Sequence, residues 1–149
     1  MDYLVDLDLP KQSIIIEITE GLLLDATGAT NDKLLALRDA GMQVSLDDFG
    51  TGYSSLSYIQ NFAIDYIKID QSFVRNLAPG SNDMILCEAI IVMAHKLGMK
   101  VIAEGVETAE QRDLLSAAQC DYGQGYLFSR PVPPEEFEKL LPANVKTGK

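Results

Sequence analysis

Positive charge is scarce in this chain: its 149 residues hold 12 Lys plus Arg against 22 Asp plus Glu, a formal charge of −10. Such a surface repels polyanions and excludes non-specific DNA binding. An anionic substrate fits only where bound cations invert the local field. Histidine is nearly absent. His95 stands alone inside a helical pattern, with no second His or Cys at ligand spacing, which removes His-based triads and zinc. Cys87 and Cys120 form neither a disulfide framework nor a CxxC pair and read as thiols in a reducing compartment. Long apolar runs are missing: Ala89-Ile90-Ile91-Val92-Met93-Ala94 is far too short to cross a bilayer. The acidic, charge-broken start Met1 to Asp6 is no secretory signal. These absences predict a soluble cytoplasmic chain whose own segments do not touch a membrane.

What is present is globular: 47% apolar and 23% charged residues with mean hydropathy +0.05, at a length that suits one domain. β-Branched and apolar clusters predict strands at Ile14 to Thr19, Val44 to Leu46, Tyr66 to Ile69 and Lys100 to Ala103, with a fifth around Asp121 to Gly123. Helical spacing predicts helices over Asn31 to Ala40, Asp83 to Leu97, Thr108 to Ala118 and Pro134 to Leu141. Gly41 and Gly98 mark stops, and Pro134 marks a start. Asp70 is expected to cap a helix at Gln71. Asp47 to Gly52 reads as a glycine-bearing loop with a short helix after it, near Ser54. The Asp83 helix is apolar around much of its circumference, which suits burial on two sides and equally a plain core helix. Strand and helix alternate about five times with short connections, the pattern of an α/β protein with parallel strands. A closed barrel needs eight such units and an open sheet is complete with five, and periodicity does not choose between them.

Acids gather at one place in this pattern. Glu17 with Glu20, Asp47 with Asp48, Lys68 with Asp70, and Glu104 with Glu107 lie at or just past the C-terminal ends of consecutive predicted strands. In parallel α/β folds those ends share one rim, and sites are built there. Converging carboxylates repel one another unless something positive lies among them, and Mg²⁺ or Mn²⁺ prefers such oxygen ligands. Lys68 is placed to neutralise part of the charge or to hold a water. Asp47 and Asp48 are the sharpest pair, because a bent backbone can aim adjacent carboxylates at neighbouring metals. Gly50 and Gly52 match no Walker or dinucleotide fingerprint.

Five segments then resemble, in order, the later motifs of the EAL domain, a family of cyclic-di-GMP phosphodiesterases built on a TIM-like barrel. They are Ile16-Glu17-Ile18-Thr19-Glu20, Asp47-Asp48-Phe49-Gly50-Thr51-Gly52-Tyr53-Ser54-Ser55-Leu56, Ile67-Lys68-Ile69-Asp70, Ala103-Glu104-Gly105-Val106-Glu107 and Gly123-Gln124-Gly125-Tyr126-Leu127-Phe128. The resemblance implies metal binding by Glu17, Asp47 and Asp48, and a water positioned by Lys68. It implies a general base or water ligand at Glu104, and water ordering by Gln124. Glu20 and Glu107 would brace the loop from about Phe49 to Gln60, which in the family communicates with a dimer interface. The implied reaction is hydrolysis of cyclic-di-GMP to linear pGpG with two Mg²⁺ or Mn²⁺.

The namesake Glu-Ala-Leu motif and the Asn-bearing third-strand motif do not precede Ile14, and Glu88-Ala89-Ile90 lies out of order in mid-helix. The expected architecture is therefore a partial (β/α) barrel of about five of the family's eight units. An N-terminal extension would span 1–13, the truncated domain 14–141 and a flexible tail 142–149. Two missing ligand motifs predict a weak or inactive enzyme when alone. The alternatives are an inactive cyclic-di-GMP-binding or protein-interaction module, and an unrelated receiver-like domain, whose Asp pair belongs after its first strand. Two free sheet edges predict a homodimer or larger assembly, joined through those edges or through helix faces.

Overall fold

A computed structural model gives the architecture and describes residues 13–24, 28–50, 59 and 62–141. Most of the expected N-terminal extension, the 142–149 tail, and the loop and short helix expected after Gly50 lie outside the described residues. Five strands form one sheet: β1 (Ile15–Thr19), β2 (Gln43–Phe49), β3 (Tyr66–Ile69), β4 (Lys100–Ala103) and β5 (Tyr122–Gly123). Between and after them come α1 (Glu20–Leu24), α2 (Gly28–Asp39), α3 (Gln71–Arg75), α4 (Asn82–Lys96), α5 (Ala109–Ala117) and α6 (Pro134–Leu140).

The strands lie side by side in chain order, every neighbouring pair parallel. A doubly wound sheet reverses its strand order at a switch point, whereas barrel winding never does. Right-handed crossovers repeated without reversal place the helices on one face. The strand order thus decides what periodicity leaves open: this is an arc of a (β/α) barrel. Register fixes the two faces. Ile18, Leu46 and Ile67 share one side with Val101, and all are buried under the helices. Glu17, Ser45 and Tyr66 share the other side, in line with Lys100.

Local chemistry explains the element ends. The Ser81 hydroxyl accepts the Met84 N–H at the start of α4, and His95 and Lys96 occupy its last turn, where cations suit the helix dipole. Thr108 and Gln111 form a reciprocal capping box that opens α5. Asp70 caps α3 as expected, accepting the Ser72 N–H at 2.9 Å. On α4 the buried residues Met84, Cys87, Ile90, Ile91 and Ala94 make one stripe against β3 and β4, while Ile85, Leu86 and Val92 stand exposed. The helix is therefore buried on one side within this chain rather than on two.

His95 has a structural role. Its Nε2 lies 2.8 Å from Asp121 Oδ2, the same oxygen that accepts the Val101 N–H at 2.8 Å, so one carboxylate ties the end of α4 to the starts of β4 and β5. Both cysteines are free. Cys87 is fully buried, and that burial pushes its thiol up to about 12.

Candidate functional site

The main departure from the sequence reading lies in β2. Asp47 and Asp48 belong to the strand rather than to a loop, because β2 continues to Phe49, whose side chain is buried in the core. Between the pairs Leu46–Ile67 and Phe49–Ile69, two residues of β2, Asp47 and Asp48, face one of β3, Lys68, which is a bulge. Asp48 takes it up in the left-handed region, at φ 56°. Asp is among the few residues that tolerate this conformation. In a regular strand, neighbouring side chains point to opposite faces; the bulge removes that alternation. The consequence is chemical: an oxygen from each of Asp47, Asp48 and Glu104 lies within 4.8 Å of the others.

Lys68 occupies the centre. It projects from the middle strand, is 4% exposed, and its Nζ lies 2.7 Å from Glu104, 2.9 Å from Glu17 and 3.0 Å from Asp47. Strands β1, β2 and β3 and the segment after β4 thus each contribute one group to a single knot. Burial alone would lower the Lys68 pKa, but the hydrogen bonds to Glu104, Glu17 and Asp47 outweigh it and hold the ammonium above lysine's ordinary 10.5. An ammonium carries three N–H donors, and three carboxylates lie within 3.0 Å of this one. One layer down, Ser45 is fully buried, and its hydroxyl finds no hydrogen-bond partner among the described residues.

Backbone ladders hold Glu104 and Gln124 side by side beyond the formal strand ends. The Glu104 N–H donates to Ile69, Gln124 to Ala103, and Val106 back to Gln124, at 3.1, 2.8 and 3.0 Å. This passage depends on Gly125. A Cβ there would lie 2.2 Å from the Val106 carbonyl oxygen, closer than any side chain is tolerated.

The six acids separate by environment. Glu17, Asp47 and Glu104 meet at Lys68, and Asp47 and Asp48 meet Glu104. Glu20 starts α1, is nearly buried, and both of its carboxylate oxygens lack a hydrogen-bond partner among the described residues. Glu107 is exposed; its backbone N–H is held by Gln111. The loop that Glu20 and Glu107 were expected to brace has residues 51–58 outside the described set. Beside the acids opens a cleft of roughly 390 Å³, lined by Glu104, Glu107 and Gln124 together with Gln71, Arg75 and Tyr126. The sequence reading assigned nothing to these last three. The signal available was the four-residue spacing of Gln71 and Arg75 directly after Asp70, and an aromatic following Gln124.

Three oxygen donors from Asp47, Asp48 and Glu104 at this spacing fit a hard divalent cation, and the chemistry of the donor set excludes a thiolate or imidazole site. The sequence model described as "EAL domain" matches residues 2–131. The chain is 44% identical over 140 residues to "Signaling protein YkoW" of Bacillus subtilis, covering 94% of this chain and 18% of that protein. It is 45% identical over 128 residues to "Cyclic di-GMP phosphodiesterase NbdA" of Pseudomonas aeruginosa, covering 86% of this chain and 16% of that one. The chain therefore spans under a fifth of the length of these two relatives. Among solved structures it resembles the PaMucR phosphodiesterase in complex with c-di-GMP (TM-score 0.84, 37% identity, 91% of this chain and 55% of that one). It also resembles the manganese/cyclic-di-GMP complex of Klebsiella pneumoniae BlrP1 (TM-score 0.79, 37% identity, 87% and 33%).

Proposed function

The chain belongs to the EAL domain family, and from that premise we propose that it carries the metal-binding part of a cyclic-di-GMP phosphodiesterase, cleaving one phosphodiester to give pGpG. One observation carries the reading: Lys68 is buried among Glu17, Asp47 and Glu104, with Asp48 brought into the same group by the bulge. A purely structural buried lysine needs one carboxylate partner, and three acids drawn to one point cost repulsion that a fold has no reason to accept unless the site uses it.

Asp47, Asp48 and Glu104 would hold a divalent cation, Mn²⁺ or Mg²⁺, with Glu17 completing the acidic wall. That ion would supply a Lewis acid for the phosphate and lower the pKa of a water. Lys68 has the position to orient the water, provided that one of its three carboxylates turns away and returns an N–H donor. Glu104 lies 2.7 Å from Nζ, which places a carboxylate beside that water as a proton acceptor. Gln124, held next to Glu104 by the β4–β5 ladder, supplies a further hydrogen bond to the same water. Glu20, nearly buried at the start of α1, and Glu107 act on the loop after β2 rather than on the reacting atoms.

Cyclic-di-GMP turnover in Mn²⁺, followed as pGpG release together with the mass in solution, tests this reading. The expected result is slow turnover by the chain alone, lost in Asp47→Ala. Failure to bind Mn²⁺ at all overturns the assignment, and nucleotide binding without turnover in the presence of Mn²⁺ identifies a receptor. The exposed Ile85, Leu86 and Val92 on α4, and the terminal positions of β1 and β5 in the described sheet, support a homodimer or larger assembly. The same mass measurement checks it.

A further inference from the structure

Lys68 already supplies a positive charge at the place where a metal ion needs the acids. Two of the three donors grouped for a cation, Asp47 and Glu104, are also partners of the Lys68 ammonium, at 3.0 and 2.7 Å. Its third partner, Glu17 at 2.9 Å, is half exposed, while the lysine itself is almost fully buried. One cation therefore serves three acids that arrive from β1, from β2 and from the segment after β4. Among the described residues, no other Lys, Arg or His pairs with Glu17, Asp47 or Glu104. Without that charge the three carboxylates repel one another across a few ångströms, and the strand ends that carry them are pushed apart.

A hard divalent cation asks for the same oxygens. Asp47 and Glu104 then divide their charge between the ion and the ammonium, and two cations share one cluster. The repulsion between those cations opposes metal binding, and a site with little solvent screens it weakly. Lys68 thus has two opposed effects: it gathers the donors beforehand and loosens their hold on the ion afterwards. We propose that Lys68 is the internal counter-ion of the metal-free site. It is a positioning residue that keeps Glu17, Asp47 and Glu104 together until a divalent cation takes over their charge, and it holds metal affinity below what the acids alone would give. This rests on the phosphodiesterase reading and deepens it. As Asp47 and Glu104 turn toward the ion, an N–H of Lys68 is released, which is the donor that the water requires.

The test is Mn²⁺ binding to the full chain by calorimetry, with melting temperature and cyclic-di-GMP turnover followed in parallel. Lys68→Met keeps a long buried side chain and removes its charge. The variant should melt below the parent without metal and bind Mn²⁺ about tenfold or more tightly. A fixed Mn²⁺ concentration should raise its melting temperature by more degrees than the parent's, while turnover falls. A lysine with only a structural role would lose affinity together with stability. Should Lys68→Met not fold without metal, Lys68→Met/Glu17→Gln keeps the parent's charge balance and the three donors Asp47, Asp48 and Glu104. That double variant should bind Mn²⁺ about tenfold more tightly than Glu17→Gln alone. If the parent binds Mn²⁺ and the Lys68 variants bind it equally or more weakly, the counter-ion assignment is wrong and the phosphodiesterase reading stands. If neither the parent nor the variants bind Mn²⁺, both are wrong.

Discussion

The same five strands present two surfaces of opposite character. Toward the helices they show Val44, Leu46, Ile67, Ile69 and Val101, all fully buried. Toward the open side they show Glu17, Asp47 and Lys68, together with Tyr66, Lys100 and Tyr122. On that side, Lys100 donates to the Tyr122 hydroxyl at 3.3 Å, and the Tyr66 and Tyr122 rings lie 6.1 Å apart. One step along a strand crosses from one surface to the other. The difference teaches that cohesion and chemistry are carried by alternate residues of the same short segments. Apolar residues on one side supply the stability that lets the other gather like charges. A substitution should therefore disturb one property or the other according to the parity of its position.

Adjacent residues give the severest way to break this contrast. Leu46→Ala on the helix side should cost about 2–5 kcal/mol by chemical denaturation. Asp47→Ala, its neighbour, should cost about 1 kcal/mol or less, because Lys68 keeps two carboxylates, yet should lower Mn²⁺ affinity by at least roughly tenfold. Equal losses of stability would mean that the faces are not separable. A smaller effect is expected where they meet: Gly125→Ala should cost about 1–3 kcal/mol by forcing β5 from the segment after β4. It should also weaken metal-dependent activity by parting Gln124 from Glu104. Thr108→Ala sharpens the comparison from outside, since it removes the capping box of α5. It should cost about 1 kcal/mol in thermal unfolding and leave Mn²⁺ affinity untouched.

The smallest effect is pH-dependent and belongs to the opposite end of the strands. Burial raises the Asp121 pKa, but its contacts with His95 and the Val101 N–H outweigh that and hold the carboxyl below its usual 3.8. A depressed folded pKa contributes stability that is present above the unfolded value and lost as pH falls through the folded one. Asp121→Asn should therefore lower the melting temperature slightly near neutrality and reduce its fall below about pH 4. Parallel curves for parent and variant would show that the Asp121 link contributes nothing.

The legible parts of the fold were those with a strong period. β3 and β4 match their β-branched runs to the residue, and the long helices differ by at most three residues at an end. α1, of five residues, was invisible because it is too short to show a helical period. The end of β2 was misread for a physical reason: Asp-Asp-Phe-Gly has turn composition, and only the burial of Phe49 and the bulge keep it in the sheet. Strand order was not legible from periodicity, since pairing is a long-range property; only the resemblance to a TIM-like barrel implied it. In the site, the convergence of Glu17, Asp47 and Glu104 followed from their shared position after strands, and the resemblance named their roles. That Lys68 would take all three acids at once was not legible, because it depends on β3 lying at the centre of the arc.

The left-handed backbone at Asp48 narrows what mutation can do there. Asn and Gly tolerate that geometry as well as aspartate does, and each is one nucleotide away from an aspartate codon. Either change would delete a negative oxygen while leaving the kinked strand intact. A single genetic step can thus remove one of the three clustered carboxylates at position 48 without unravelling the domain. Sister sequences bearing Asn or Gly at that position are the place to search for descendants that keep the kinked strand and the fold while lacking the full acid cluster.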